Sequence, residues 1–590
     1  MLQLVANLNR NPVAGAVIRE KLPGLITGEI DAPSFEDLPY LEAVVKESIR
    51  LHVTPTSRAP NQSTTLNDGT FGCGVMMQFM WGLAQHQGNQ REATLAVGTS
   101  NSIGRAFDAQ GLHRPKSTLP LLGNTLDVMF YQKERLWDWM AEQSNLSDGK
   151  PWVLSIIGRP DALIVTSPEA CEDVFKTQFD NFGRGADLRD VIYDIFGDGI
   201  AGVDGDEWQK QRRVASHLFS MKMLRDVMDE VIIEKVTKLK EVLAQCAKGG
   251  KVIPMKSLFG KFTSEVFTKI GFGVDLHSLE NDPCCDSNNA FIKAVDVYAE
   301  VFGARVQSPA WFWKLKRFFS IGDEGRLKES AKVAEGLTQE VLAKSLEARR
   351  RDTSEVKRTD LLTLFVETNT NIDPKAVHDT LMSFLLASKD TTSFSLSWVL
   401  INLNRYPAVL AKLRDEIREK LPGLMTGEIE VPTMEDLQKL PYLEAVVKES
   451  LRLYMAVTNR MAKTSTTLSD GTFVPEGCAV MVPIYASARV KNVWGDDAEE
   501  YKPERWIDLS TGKVKPVSPF KFFTFAAGPR QCLGMRFALL QIQTTVAVLF
   551  SRFDLKTQEN PFDLTYDFAI TLPVKGPLNI TVREIVPAAF

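Results

Sequence analysis

The chain has 590 residues, long enough for a large buried core or for more than one domain. Apolar residues make up 44% and charged residues 24%, an ordinary globular balance, and a net charge of −5 lacks the basic footprint of a nucleic-acid binder. The seven cysteines (Cys73, Cys171, Cys246, Cys284, Cys285, Cys478 and Cys532) are odd in number, scattered and without a C-x-x-C pair, which excludes a disulfide framework and gives no support to a zinc or iron–sulfur site.

The first feature in chain order is a copied segment. Residues 19–30, REKLPGLITGEI, return at 418–429 as REKLPGLMTGEI; residues 39–50, PYLEAVVKESIR, return at 441–452 as PYLEAVVKESLR. STTLNDGTF at 63–71 returns as STTLSDGTF at 465–473. One copy is not a solenoid, which needs at least three stacked units. Residues 1–92 therefore read as a truncated duplicate of the 400–480 segment, and 93–590 as the intact unit. An amphipathic helix takes most of its stability from the face it packs on, so the copy is expected to be poorly ordered or loosely docked.

The intact unit reads as mostly α with small β elements (α+β). After the turn at residues 119–124, short strands are predicted at Trp152–Ile157, Ala162–Thr166, Cys478–Pro483 and near the C-terminus. Helical periodicity covers about 208–248, 323–350, 374–404 and 432–454, and a further helix is expected to follow Cys532. No run approaches 18 uninterrupted apolar residues, so no spanning segment is visible, and the N-terminus lacks a signal-peptide pattern.

Two groups interrupt these helices. Asp390-Thr391-Thr392 lies within a long apolar helix, where acids and alcohols are out of place because they favour caps and turns. Such a Thr either bonds back to a carbonyl one turn earlier or serves chemistry. Glu449-x-x-Arg452 puts both side chains on one helical face. That spacing recurs at Glu47/Arg50 and Glu347/Arg350, so position has to give it meaning.

The specific signal is FFTFAAGPRQCLGMRFALL at 522–540. Phe525, Gly528, Arg530, Cys532 and Gly534 fit F-x-x-G-x-R-x-C-x-G. Five specified types at ~5% usage each match by chance on the order of once in a few million starting positions. A cysteine where a glycine-containing loop enters a helix can be held as thiolate by backbone N–H groups and the positive helix end. Gly528 and Gly534 would let the backbone approach a flat cofactor closely.

This segment resembles the haem-binding loop of the cytochrome P-450 superfamily, departing at Ala526, where the family more often has a small polar residue or Gly. The resemblance covers about residues 115–590. It implies the cytochrome P-450 fold, a helical domain around a buried haem b (iron protoporphyrin IX), with Cys532 as the iron ligand, Phe525 covering the sulfur and Arg530 pairing with a propionate. By the same resemblance Trp208, Arg212 and Arg460 contact propionates. Glu449, Arg452 and Arg505 form a buried ion network on the sulfur side. Asp390 and Thr391 organise proton delivery in a distal-helix motif in which Ser388 replaces the usual Gly.

The runs FGDGIAGVDGDEWQKQRRVASHLF, WFWKLKRFFSIG and FLLASKDTTSFSLSWVL look most like the fatty-acid ω-hydroxylase branch of plants and fungi. The implied reaction is hydroxylation of an unactivated C–H bond of a lipophilic substrate. It uses dioxygen and two electrons from an NADPH-dependent flavoprotein reductase, which would dock near Lys210, Arg213, Lys448 and Arg536. The alternatives are a hydroperoxide isomerase or dehydratase of the same superfamily, against which Asp390-Thr391 argues, and an inactive haem-binding remnant. Relatives sit on the endoplasmic reticulum membrane; here only Trp311, Phe312, Trp313, Phe318 and Phe319 suggest peripheral contact.

Overall fold

The computed structural model describes residues 102–585, apart from 121, 158, 226–228, 285–289, 309, 352–373, 456, 568 and 570. The chain divides into two units, Met1–Leu95 and Ala96–Phe590. The copied segment at 1–92, and its expected disorder, lie outside the described residues.

The second unit is mostly helical. Its longer helices are α1 (Leu136–Leu146), α2 (Ala186–Phe196), α3 (Gly205–Leu218), α4 (Asp229–Gly249), α5 (Met255–Phe272) and α6 (Ala290–Gln307). They continue with α7 (Ala310–Phe319), α8 (Asp323–Arg351), α9 (Pro374–Arg405), α10 (Pro407–Lys420), α11 (Pro441–Leu453) and α12 (Met535–Arg552). The strands are β1 (Trp152–Leu154), β2 (Ala162–Ile164), β3 (Phe182–Gly183), β4 (Ile253–Pro254), β5 (Val457–Ala462), β6 (Ala479–Pro483), β7 (Phe553–Thr557) and β8 (Asn579–Glu584). One sheet runs in the order β1-β2-β6-β5-β3 and another in the order β4-β8-β7. Within the first, β2 joins β6 in parallel, with Leu163 opposite Val480; the β1–β2, β6–β5 and β5–β3 pairs are antiparallel.

Periodicity over 208–248 predicts one helix, and the structure has α3 and α4, separated at Phe219-Ser220, where Ser220 caps a fresh turn by accepting from the Met223 N–H. Likewise 432–454 becomes a short turn and then α11, because Pro441 cannot continue a helix but suits its first position. The stretch Met255–Gln307, not predicted as helical, holds α5 and α6. α5 is buried nearly all round, which hides the one-sided pattern that periodicity needs.

α9 is the spine. Its 32 residues span about 48 Å. Leu381, Met382, Leu385, Leu396 and Trp398 through Ile401 are buried in the main core. Trp398 stacks on Tyr454 at 3.9 Å and donates to the Leu572 carbonyl, tying the spine to the C-terminal region. α11 and α12 pack beside it on the side from which the cysteine loop emerges.

Candidate active site

The cysteine loop is a chain of tight turns ending at Gly534, the cap of α12. The Cys532 N–H donates to the Phe525 carbonyl at 2.8 Å, folding the loop back on itself. The Cys532 side chain lies deep among protein atoms yet remains accessible, so it lines an interior space. Burial pushes the thiol pKa up; the Gly534 N–H and the Arg212 charge pull against that. Half-buried Phe525 packs edge-on to Phe522 and through it to Trp506.

The two glycines of the loop differ in their surroundings. Gly528 has φ +69°, and a Cβ there would overlap the Phe175 carbonyl, so a protein contact by itself requires glycine at this position. Gly534 has an ordinary φ of −84°, and a Cβ would meet only Phe219, at 3.6 Å. Phe219 in turn lies 6.0 Å from the Phe384 ring, which links the loop to α9.

Glu449, Arg452 and Arg505 come together. Glu449 is fully buried and accepts from Arg452 Nε at 2.8 Å, Arg505 Nε at 2.8 Å, Trp506 Nε1 at 2.9 Å and the Lys502 N–H at 3.0 Å. Arg452 also donates to the carbonyls of Ala488, Ala498 and Glu500.

A second arginine group is differently placed. Arg460 is buried, stands over the Phe175 ring at 4.6 Å, and among the described residues its side chain donates only to the Asn459 carbonyl. Arg530 pairs with Asp204 and the Val203 carbonyl and covers the face of buried Trp208 at 4.4 Å, but its Nη1 is buried without a partner. Arg184, which the sequence reading missed, joins them, and its buried Nε has no partner either. Its only sequence signal was its place between Gly183 and Gly185. Burial, then repulsion from Arg184 and Arg530, lowers the Arg460 pKa well below its usual value. Asp204 is the carboxylate that offsets this cluster. Arg212, half-buried, has its pKa lowered by burial and supported by Cys532.

Between Ser383 and Leu403, α9 is buried apart from Leu386, Ala387, Ser388, Thr391 and Phe394. Ala387 is exposed, and Thr391 and Phe394 are half-buried, at i, i+4 and i+7 on one face. Thr391 Oγ1 donates to the Ala387 carbonyl at 2.7 Å, which is the bond-back geometry. Ser388 bonds back in the same way to Leu385. Asp390 is buried and paired with Lys389 at 2.8 Å, and Lys389 also pairs with Asp296 of α6. Burial works to lower the Lys389 pKa, but the two carboxylates outweigh it and raise it.

An accessible thiol deep in a helical domain, a partly accessible helix face and a set of under-paired arginines suit a flat dianionic cofactor with a sulfur ligand. The Cytochrome P450 family model matches residues 113–579. The chain belongs to the cytochrome P450 family. It is 32% identical to cytochrome P450 CYP94D108 of Paris polyphylla, covering 79% of this chain and 92% of that protein. It is 36% identical to cytochrome P450 704C1 of Pinus taeda over 67% and 80% of the two chains, and 30% identical to cytochrome P450 86B1 of Arabidopsis thaliana over 78% and 84%.

This P450 is therefore a monooxygenase whose cofactor is a haem, with a redox partner, a lipophilic substrate and dioxygen. The residues present fit that group: a sulfur donor on one side, and unpartnered guanidinium N–H groups where carboxylates would sit. Among the described residues no helix is long and apolar enough to cross a membrane, so membrane spanning gains no support.

Proposed function

We propose that this P450 hydroxylates an unactivated C–H bond of a fatty acid, using haem b and two electrons from an NADPH-dependent flavoprotein reductase. The observation that carries the reading is the accessible Cys532 thiol, linked through Phe219 and Phe384 to the helix whose exposed stripe bears Ala387 and Thr391. Haem bound through Cys532 supplies dioxygen activation, with thiolate donation favouring O–O cleavage.

The chain's own residues do the rest. The Gly534 N–H and Arg212 help hold the sulfur as thiolate, and Phe525 shields it. Arg184, Arg460 and Arg530, with Arg212 and Trp208 beside them, take the cofactor carboxylates. Glu449, Arg452 and Arg505 keep the loop's base rigid. Thr391 holds a hydroxyl proton at the accessible face, releasing the Ala387 carbonyl when it turns outward. Asp390, once it leaves Lys389 and takes up a proton from solvent water, passes that proton on to Thr391.

Exposed Lys210, Arg213 and Arg536 are the charges offered to the reductase. Lys448 is a poorer candidate than its sequence position suggested: it is half-buried, paired with Glu444 at 2.6 Å and lies near the Trp506 ring. Phe318 and Phe319 are exposed, 80% and 57%, and are the residues of α7 available for peripheral contact with the endoplasmic reticulum membrane; Trp313 is core.

The test is reconstitution with haem, such a reductase and NADPH. Expected are the reduced carbon-monoxide band of a thiolate-ligated haem and NADPH-dependent hydroxylation of long-chain acids. A correct band with no acid turned over would sink the substrate reading; absence of the band would sink the ligand assignment.

A further inference from the structure

On α9 one buried ammonium is shared by two acids. Lys389 is 5% exposed and pairs with Asp390, the next residue, at 2.8 Å and with Asp296 of α6. Asp390 is itself buried, whereas Asp296 keeps half of its side chain exposed, on a face of α6 that also carries Lys293 and Glu300. Successive side chains of a helix are set about 100° apart. Lys389 therefore points to the back of α9, away from Thr391, and Asp390 lies between the two directions. Asp390 is thus the residue that joins the two sides of the helix.

Nothing else among the described residues bonds the ammonium. The Thr263 hydroxyl of α5 donates to the Lys389 carbonyl at 2.9 Å and fixes the backbone of that turn. Lys256, near the start of α5, donates to the Val574 carbonyl at 2.7 Å and acts on Asp296, Asp390 and Lys389 from further off, as Asp567 acts on it. Glu300 is held by Arg326 at 2.7 Å.

A buried ammonium cannot leave both acids, because its charge would then be uncompensated. It can move from one toward the other. Closed on Asp390, it keeps that carboxylate ionised and still. Closed on Asp296, it leaves Asp390 a buried carboxylate without a cation, and desolvation then favours uptake of a proton from water. Half-exposed Asp296 loses little when the ammonium returns, since solvent screens it.

We propose that Asp296 is a positioning residue: it takes Lys389 from Asp390 and so governs how often Asp390 carries a proton to Thr391. This rests on the proton-delivery reading above. The haem-loaded protein, supplied with reductase, NADPH and hexadecanoic acid, is compared as wild type, Asp296→Asn, Asp296→Glu, Glu300→Gln and Asp390→Asn. Product and hydrogen peroxide formed per NADPH are measured, with the solvent deuterium effect on turnover. A second readout needs neither substrate nor cofactor. It is the carboxyl NMR titration of isotope-labelled aspartates in the cofactor-free protein, with the Asp390 signal assigned by its loss in Asp390→Asn.

Asp296→Asn is expected to form roughly tenfold less product per NADPH, with the missing electrons recovered as hydrogen peroxide and a larger solvent deuterium effect. Its Asp390 midpoint should fall by about one pH unit, because the ammonium is no longer shared. Asp296→Glu should restore both, and Glu300→Gln should change neither. Wild-type coupling or an unmoved Asp390 midpoint in Asp296→Asn would overturn the proposal. So would equal changes in Glu300→Gln, which would reduce Asp296 to a general field. If the acid is not oxidised at all, the fatty-acid reading fails and the titration alone decides for Asp296. If Asp390→Asn leaves coupling unchanged, the proton-delivery reading fails instead.

Discussion

Two groups of buried arginines include or lie near residues of the cysteine loop, and they differ in one respect. Around Glu449 every charge is answered: Arg452 spends its donors on Glu449 and three carbonyls, and Glu449 accepts from four groups. Around Arg460 the charges are left over: Arg460 has one carbonyl, Arg530 and Arg184 each keep an unpartnered N–H, and Asp204 faces them all. A saturated network belongs to the fold. An unsaturated one is built for something that arrives with negative charge.

The largest effect tests what both groups serve. Cys532→Ser should abolish the thiolate carbon-monoxide band and reductase-driven hydroxylation together, with far-ultraviolet circular dichroism unchanged; retention of either signal would move the ligand elsewhere. Next comes the saturated group. Glu449→Gln leaves Arg452 and Arg505 buried against a neutral amide and should cost about 3–5 kcal/mol, read as a lower urea midpoint in the cofactor-free protein. A loss under about 1 kcal/mol would mean that the network is ornamental.

The unsaturated group should behave in the opposite sense. Arg460→Met is expected to leave the cofactor-free protein as stable as the wild type or more so, while weakening haem retention about tenfold to hundredfold, the scale of a lost charge-assisted bond. If it instead destabilises the cofactor-free protein as Glu449→Gln does, the distinction between the groups collapses. Arg530 adds a pH signature. Burial, then repulsion from Arg184, holds its pKa down to about 10, below its usual value. Between those values the unfolded chain binds the extra proton, so native stability rises with pH there. The advantage of Arg530→Met over wild type in cofactor-free protein should therefore shrink as pH rises through 10.

The sequence carried the sulfur-side elements because their chemistry is compressed into short spacings: Cys532 within five specified positions, and Glu449 and Arg452 one helical turn apart. Arg505, 53 residues beyond Arg452, could be joined to them only through resemblance. What stayed hidden were contacts made across the chain. Arg184 meets Arg460 through the pairing of β3 with β5, Lys389 reaches Asp296 on another helix, and Arg159 lies on the end of α6. None of these has a local pattern, since each is a lone basic residue until the fold shows which partners it lacks. The helix α5 was missed for a related reason: burial on most faces erases the alternation on which a sequence reading depends, whereas α6 does keep one exposed face, with Lys293, Asp296 and Glu300 on it.

One departure visible in the sequence has a conformational meaning. Ala526, where the family resemblance implies Gly or a small polar residue, adopts φ +53° and ψ −173°, a region that only glycine occupies without strain. It sits between Phe525, whose carbonyl accepts the Cys532 N–H, and Ala527, so the strain is stored in the loop that aims the sulfur. Ala526→Gly removes the strained Cβ at the cost of a more flexible unfolded chain and a little buried apolar surface. The strain of about 1–3 kcal/mol exceeds those losses, so the variant should be more stable by about 1 kcal/mol. A urea titration of cofactor-free protein reads the sign directly, and a destabilised Ala526→Gly would mean that the methyl group's packing against the buried cluster that includes Phe175 and Phe523 outweighs its backbone strain.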